Sequence, residues 1–206
     1  MKLLFKINLP HPPQSVLDEV IDIGNNRYAD ADLRQHIVGY AGDTDFGNDP
    51  FDRRNKRRRL LDVDKGIYAR TKPTDELKEF IYSILPDYGL TDDRIGIQTT
   101  INRHFPHTDK LYARLMYRVS GDACVTTWFI EEGQELIRKS GIGFLEYDTP
   151  TLKPIESGVL NNGNWYLVIS NVIHGVMNNK GKRISITVPM EEWQANKLIS
   201  EHNTEE

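Results

Sequence analysis

The sequence predicts a mainly β protein with flanking helices, an α+β chain whose core is a sandwich or barrel. Two patterns carry that expectation. Apolar residues at helical spacing occur before Gly89 and again after Glu191, while short β-type runs broken by Gly, Asn, Asp and Pro fill the stretch between. Strands so short and closely spaced bury their apolar faces only by packing in two layers or closing on themselves. At 206 residues, 38% hydrophobic and 27% charged, the chain has the length and composition of one folded domain with a substantial core.

Taken in order, residues 3–9 read as an opening strand, and Val16, Leu17, Val20 and Ile21 give a helix from Gln14 to Ile23 its apolar face. From Asn25 to about Lys72 the pattern weakens into loop or insertion, with Gly, Asp and Asn gathered at 42–50 and the basic run RRNKRRR at 53–59. A second helix over Thr74–Leu85 buries Leu77, Phe80, Ile81, Ile84 and Leu85 and is closed by Pro86 and Gly89. Strands are expected at about 95–101, 111–119, 124–130, 142–147, 158–160, 165–171 and 183–189, with Trp128, Phe129, Trp165 and Tyr166 filling the barrel or its cover. In the last of these runs Arg183, Ser185 and Thr187 alternate with Ile184, Ile186 and Val188, so one face is polar. Glu191–Ser200 reads as a terminal helix docked by Trp193, Leu198 and Ile199, and the tail from Glu201 should fray. The expected layout is N-terminal helices and loops over 1–93, a β core over 94–190, and a C-terminal helix and tail over 191–206.

A formal net charge of -4 provides no global field that would select nucleic acid or an anionic membrane surface. Cys124 is the only cysteine, which excludes an intramolecular disulfide or Cys-rich zinc cluster and suits a buried hydrophobe in a reducing compartment. The opening MKLLFKINLPHPPQ is interrupted by Lys6 and Asn8 and lacks both a signal-type apolar region and the ~20-residue span needed to cross a bilayer. The expectation is a cytoplasmic protein without a membrane partner, monomeric or homodimeric through exposed barrel edges.

One constellation carries chemistry. His107 and Asp109 stand two apart, so in an extended segment both point the same way and can grip one ion. The apolar run WYLVISNVIHGV delivers His174 at its end, 65 residues after Asp109. Two imidazoles and one carboxylate on one face of a metal leave its other positions open, the arrangement of non-haem iron oxygenases. Asn178, Asn179 and Gly181 suit a hairpin turn, which would pair the His174 strand with that of Arg183. Arg183 and Ser185 share a face and offer a planar fork and a hydroxyl to a carboxylate, a grip lysine does not reproduce.

His107-Thr108-Asp109, then His174, then Arg183-Ile184-Ser185 resemble the His-x-Asp, distal His and Arg-x-Ser series of the 2-oxoglutarate/iron(II)-dependent oxygenases, in order and in spacing. The segments INRHFPHTDK and NVIHGVMNNKGKRISITV look like prolyl-hydroxylase-like and phage-encoded members. The resemblance covers roughly residues 94–190 and implies a double-stranded β-helix, the jelly-roll or cupin-like core. It further implies iron(II) held by His107, Asp109 and His174. Arg183 and Ser185 would hold the distal carboxylate of 2-oxoglutarate, with O2 as oxidant and ascorbate as an accessory reductant. Oxidative decarboxylation to succinate and carbon dioxide would then accompany hydroxylation of a C–H bond. Iron(II), one aspartate, doubly anionic 2-oxoglutarate and one arginine cancel in charge, which a buried site favours. The presence of Asp109 argues against the halogenases of the superfamily, where a small residue replaces that ligand.

Other readings stand beside this one. His104 and His107 three apart could join a zinc site, and a cupin-like protein could hold zinc on the same three ligands without using Arg183. Tyr112 and Tyr117 are candidates to donate to 2-oxoglutarate or to pack the core, and Asn102 and Arg103 are weaker candidates near the ligand pair. Arg53, Arg54, Lys56, Arg57, Arg58 and Arg59 form either a solvated loop or a phosphate-contacting patch. The first substrate to consider is a prolyl or other residue of a peptide or protein. A small metabolite or amino acid and a nucleic-acid base are alternatives.

Overall fold

The computed structural model describes residues 2–26, 67–101, 104–133, 145–146, 152–176 and 181–204. The basic run at 53–59, Asn102, Arg103, Asn178 and Asn179 lie outside the described residues. Along the chain come β1 (Leu4–Ile7), α1 (Gln14–Asn26), β2 (Ile67–Thr71), α2 (Asp75–Ile84), a 3-10 turn (Asp92–Arg94), β3 (Gly96–Ile101), β4 (His104–Thr108), β5 (Ala113–Ser120) and β6 (Cys124–Glu131). After them follow β7 (Leu145–Glu146), β8 (Leu152–Leu160), β9 (Trp165–Ile169), β10 (His174–Val176), β11 (Lys182–Met190) and α3 (Glu192–His202).

The strands form a six-stranded sheet in the order β1-β9-β5-β11-β3-β2 and a five-stranded sheet in the order β7-β4-β10-β6-β8, antiparallel throughout. From β3 to β6, and again from β8 to β11, each successive strand crosses to the other sheet. That alternation builds the expected jelly-roll core, with helices flanking it.

Local chemistry sets the element ends. Leu17 N donates to the Pro13 carbonyl at the start of α1, just past Pro12 and Pro13. Thr74 caps α2 by accepting from Leu77 N at 3.2 Å, and Asp75 and Glu76 in its first turn complement the helix dipole. At α3 the Gln194 side chain reaches back to accept from Glu191 N at 2.8 Å. Val16, Val20, Leu77 and Ile81 on α1 and α2 are fully buried in the core cluster with Ile97, Leu115, Ile184, Ile186 and Val188 of the six-stranded sheet. Each such aliphatic contributes about 1.5–3 kcal/mol relative to exposure. α1 sits so close to β11 that a Cβ on Gly24 would lie 2.6 Å from Ile184 Cδ1. Much of the apolar core therefore lies on the helix-covered face of the six-stranded sheet and continues through Cys124, Trp128, Leu160 and Val176 of the five-stranded sheet, while the polar inner face of the six-stranded sheet is left for the site.

Several expectations are corrected. The stretch read as loop or insertion ends in a strand, β2, which pairs with β3 at the sheet edge; β1, the expected opening strand, lies at the opposite edge beside β9. β4 and most of β8 were not foreseen because Pro106 and Pro154 interrupt their apolar alternation. β8 tolerates its proline as an edge strand, where Pro154 sits at a register shift opposite Phe129. β10 does not pair with β11: it lies between β4 and β6 in the five-stranded sheet, so His174 and Arg183 reach the cavity from facing sheets. The tail is pinned as far as Thr204, whose N donates to Lys6 O at 3.1 Å, while Asn8 N donates to His202 O at 2.8 Å. Among the described residues no helix is long and apolar enough to cross a membrane.

Candidate metal centre

Three chain segments bring the ligand-type residues together. β4 carries His107, and immediately beyond it Asp109 N donates to Ser170 O at 2.8 Å, tying the segment to the crossing between β9 and β10. That crossing is fixed from several sides: Ser170 N and Asn171 N both donate to Tyr112 O, Phe129 N donates to Ile173 O, and Trp128 Nε1 donates to Ile169 O at 2.7 Å. His174 then opens β10 directly opposite His107 in register.

The result is a buried cluster. His107, Asp109 and His174 offer donor atoms that all lie within 4.8 Å of one another. The two imidazole rings are 4.3 Å apart at their centroids, and His107 Nε2 is 3.7 Å from Asp109 Oδ1. His174 Nδ1 lies 2.9 Å from the Val172 carbonyl, which can only accept, so Nδ1 carries the proton and Nε2 keeps its lone pair for a ligand role. The other oxygen of the carboxylate is taken: Arg114 NH2 donates to Asp109 Oδ2 at 2.6 Å, and Arg114 NH1 donates to Gln98 Oε1 at 2.9 Å.

Protonation favours the same set. Burial acts most strongly on Asp109 and disfavours its charge, but Arg114, the two imidazoles and the Ser170 hydroxyl together outweigh it and hold the carboxyl below the usual carboxylate range. Burial pushes His174 below the ordinary imidazole value, and the opposing pull of Asp109 and the Val172 carbonyl does not reverse this. A carboxylate and a neutral imidazole are the forms that bind metal.

A cavity between the two sheets opens beside this cluster. Its six-stranded wall presents Gln98, Thr100, Arg114, Met116, Arg118, Arg183 and Ser185, and its five-stranded wall His107, Cys124, Thr126, Leu160, His174 and Val176. Arg183 and Ser185 thus share the cavity face, as their alternation with Ile184 and Ile186 requires. Gly121 backs this corner with φ +107°, and a Cβ there would lie 2.5 Å from Lys182 O and 2.9 Å from Arg183 Cα.

Neither tyrosine candidate lines the cavity. Tyr117 lies on the odd-numbered side of β5, where its hydroxyl bonds His11 Nδ1 at 3.1 Å and its ring packs against Trp165. Tyr112 precedes β5, is buried, and uses its carbonyl to hold the β9–β10 crossing. His104 contributes backbone pairing with Val176 in β4. Sequence reasoning missed Arg114 and Arg118. Their signal was available, because two arginines four apart in ARLMYRVS fall on one face of a strand whose other face is Ala113, Leu115 and Tyr117. They also unbalance the charge count made with one arginine, since Asp109 neutralises only Arg114.

No family model and no curated protein matches the chain. Among solved structures it is similar to a Pseudomonas putida prolyl-4-hydroxylase at 12% identity and TM-score 0.44, covering 91% of this chain and 94% of that one. It is also similar to E. coli ycfD at 17% identity and TM-score 0.39, covering 60% of this chain and 32% of that one. A vicilin from Corylus avellana is similar at 11% identity and TM-score 0.30, covering 61% and 28% respectively. The chain spans about a third or less of the length of the last two.

Proposed function

We propose that this chain is an iron(II)- and 2-oxoglutarate-dependent oxygenase that hydroxylates a C–H bond. The reading is carried by one observation: two imidazoles and a carboxylate converge beside a cavity whose far wall holds buried guanidinium groups. The donor set suits a ferrous ion, being two neutral nitrogen donors and one anionic oxygen. Arg114 occupies one carboxylate oxygen and thereby turns the other toward the imidazoles.

In this reading His107, Asp109 and His174 hold the metal from one side. Bound there, iron(II) would supply oxygen activation coupled to oxidation of 2-oxoglutarate. Arg183 receives the distal carboxylate of the co-substrate through its planar fork, with the Ser185 hydroxyl beside it. Met116, Leu160 and Val176 give the cavity apolar wall that limits water near the reacting groups. The substrate class we put first is a prolyl or other residue of a peptide, on the sequence resemblance.

The test is product formation. With iron(II), 2-oxoglutarate and oxygen, the wild-type chain should form succinate slowly even without a primary substrate, and Asp109→Ala and His174→Ala should each abolish it. Arg183→Ala should chiefly raise the 2-oxoglutarate concentration required. Full turnover by Asp109→Ala would overturn the ligand assignment. Metal binding without any 2-oxoglutarate binding would favour a cupin-like zinc protein.

A further inference from the structure

We infer that Arg118 is a second co-substrate-binding guanidinium, so that the distal carboxylate of a 2-oxo diacid is received by two arms, Arg118 from β5 and Arg183 from β11, with the Ser185 hydroxyl beside them. This rests on the proposed function and deepens it. Arg118 stands directly across from Ser185 in the β5–β11 pairing, and its NH1 donates to Ser185 Oγ at 3.1 Å. A guanidinium only donates, so the serine oxygen is the acceptor there and its own proton is left to point elsewhere. Arg118 NH2 donates to Asp122 O at 3.2 Å.

Each of the two guanidinium groups keeps one donor without a partner among the described residues. Arg118 is 2% exposed and Arg183 5%, and the Nε of each is buried with no hydrogen-bond partner. Neither meets a carboxylate: the arginine ion pairs among the described residues are Arg94 with Glu191 and Arg114 with Asp109. Two like charges sharing one buried wall repel, and burial, with a smaller contribution from Arg183, weakens the hold of Arg118 on its proton. Such a pair is stable when an anion lies between them. Its position also fits. Arg118 is four residues beyond Arg114, about 13 Å along the strand, so the pair lies away from the metal ligands rather than among them. Without a ligand contact, Arg118 would only brace Ser185 and the β5–β6 turn.

Calorimetric titration of the anaerobic, iron(II)-loaded full chain separates the two. One ligand is 2-oxoglutarate, and the other is 2-oxopentanoate, the same carbon chain without the distal carboxylate. Arg118→Gln should weaken 2-oxoglutarate binding by about tenfold or more, as loss of a charge-assisted contact implies, and leave 2-oxopentanoate within about twofold. Arg118→Lys, which keeps the charge without the fork, should recover part of the loss. Equal weakening of both ligands, or of neither, overturns the inference. Should Arg118→Gln fail to fold by circular dichroism, Arg118→Lys is judged by the same comparison. A wild-type chain that binds no 2-oxoglutarate sinks the functional reading and this inference with it, whereas a wild type that binds it beside an unaffected Arg118→Gln sinks the inference alone.

Discussion

Arg114 grips Asp109 by one oxygen at 2.6 Å and leaves the other facing His107 Nε2 at 3.7 Å. Each side chain is largely buried and each supplies the charge the other needs, so in the proposed reading the pair would couple metal affinity to fold stability. Replacing Arg114 with Gln frees the carboxylate to swing and removes its neutralising partner. We expect metal affinity to fall about 10- to 100-fold, as for other groups that orient a ligand. Stability should fall by about 3 kcal/mol, the scale of breaking one side of a buried pair. Metal titration and urea denaturation check the two effects separately; unchanged metal affinity would show that Asp109 is held by its backbone alone.

Gly121 supports Arg183 from behind, at a φ that side chains rarely adopt. Gly121→Ala should destabilise the chain by about 1–3 kcal/mol through backbone strain. Because the new Cβ would press on Arg183 Cα and Lys182 O, it should also raise the 2-oxoglutarate concentration needed for half saturation. Urea denaturation and co-substrate titration read these out; a variant of wild-type stability would contradict the close approach.

Tyr117 packs against His11 and Trp165 and does not line the cavity, so Tyr117→Phe should leave co-substrate binding unchanged. Losing the bond to His11 should reduce stability by about 1 kcal/mol. A weakened response to 2-oxoglutarate in an otherwise folded variant would place the phenol in the site after all.

Much of this arrangement was legible in the sequence because it follows period-two and period-3.6 rules. The alternation in RISITVP put Arg183 and Ser185 on one face of the cavity, and the two-residue spacing of His107 and Asp109 set both toward one point. What was not legible depends on pairing across the sheets. The turn residues after Val176 suggested that β10 and β11 pair, whereas the jelly-roll sends them into facing sheets, which is a property of the whole topology. Prolines hid β4 and most of β8; β8 tolerates its proline as an edge strand, which is known only once the sheet order is. Tyr112 and Tyr117 were candidates by proximity in sequence, and strand parity removed Tyr117 from the cavity wall.

The most direct test is an anaerobic titration of iron(II) into the full chain, with and without 2-oxoglutarate, for the wild type, His174→Ala and Asp109→Ala. We expect one ion per wild-type chain, tighter binding when 2-oxoglutarate is present, and loss of both the ion and the co-substrate effect in each variant. Iron binding that survives both substitutions, or that is indifferent to 2-oxoglutarate, would contradict a ferrous centre built on His107, Asp109 and His174.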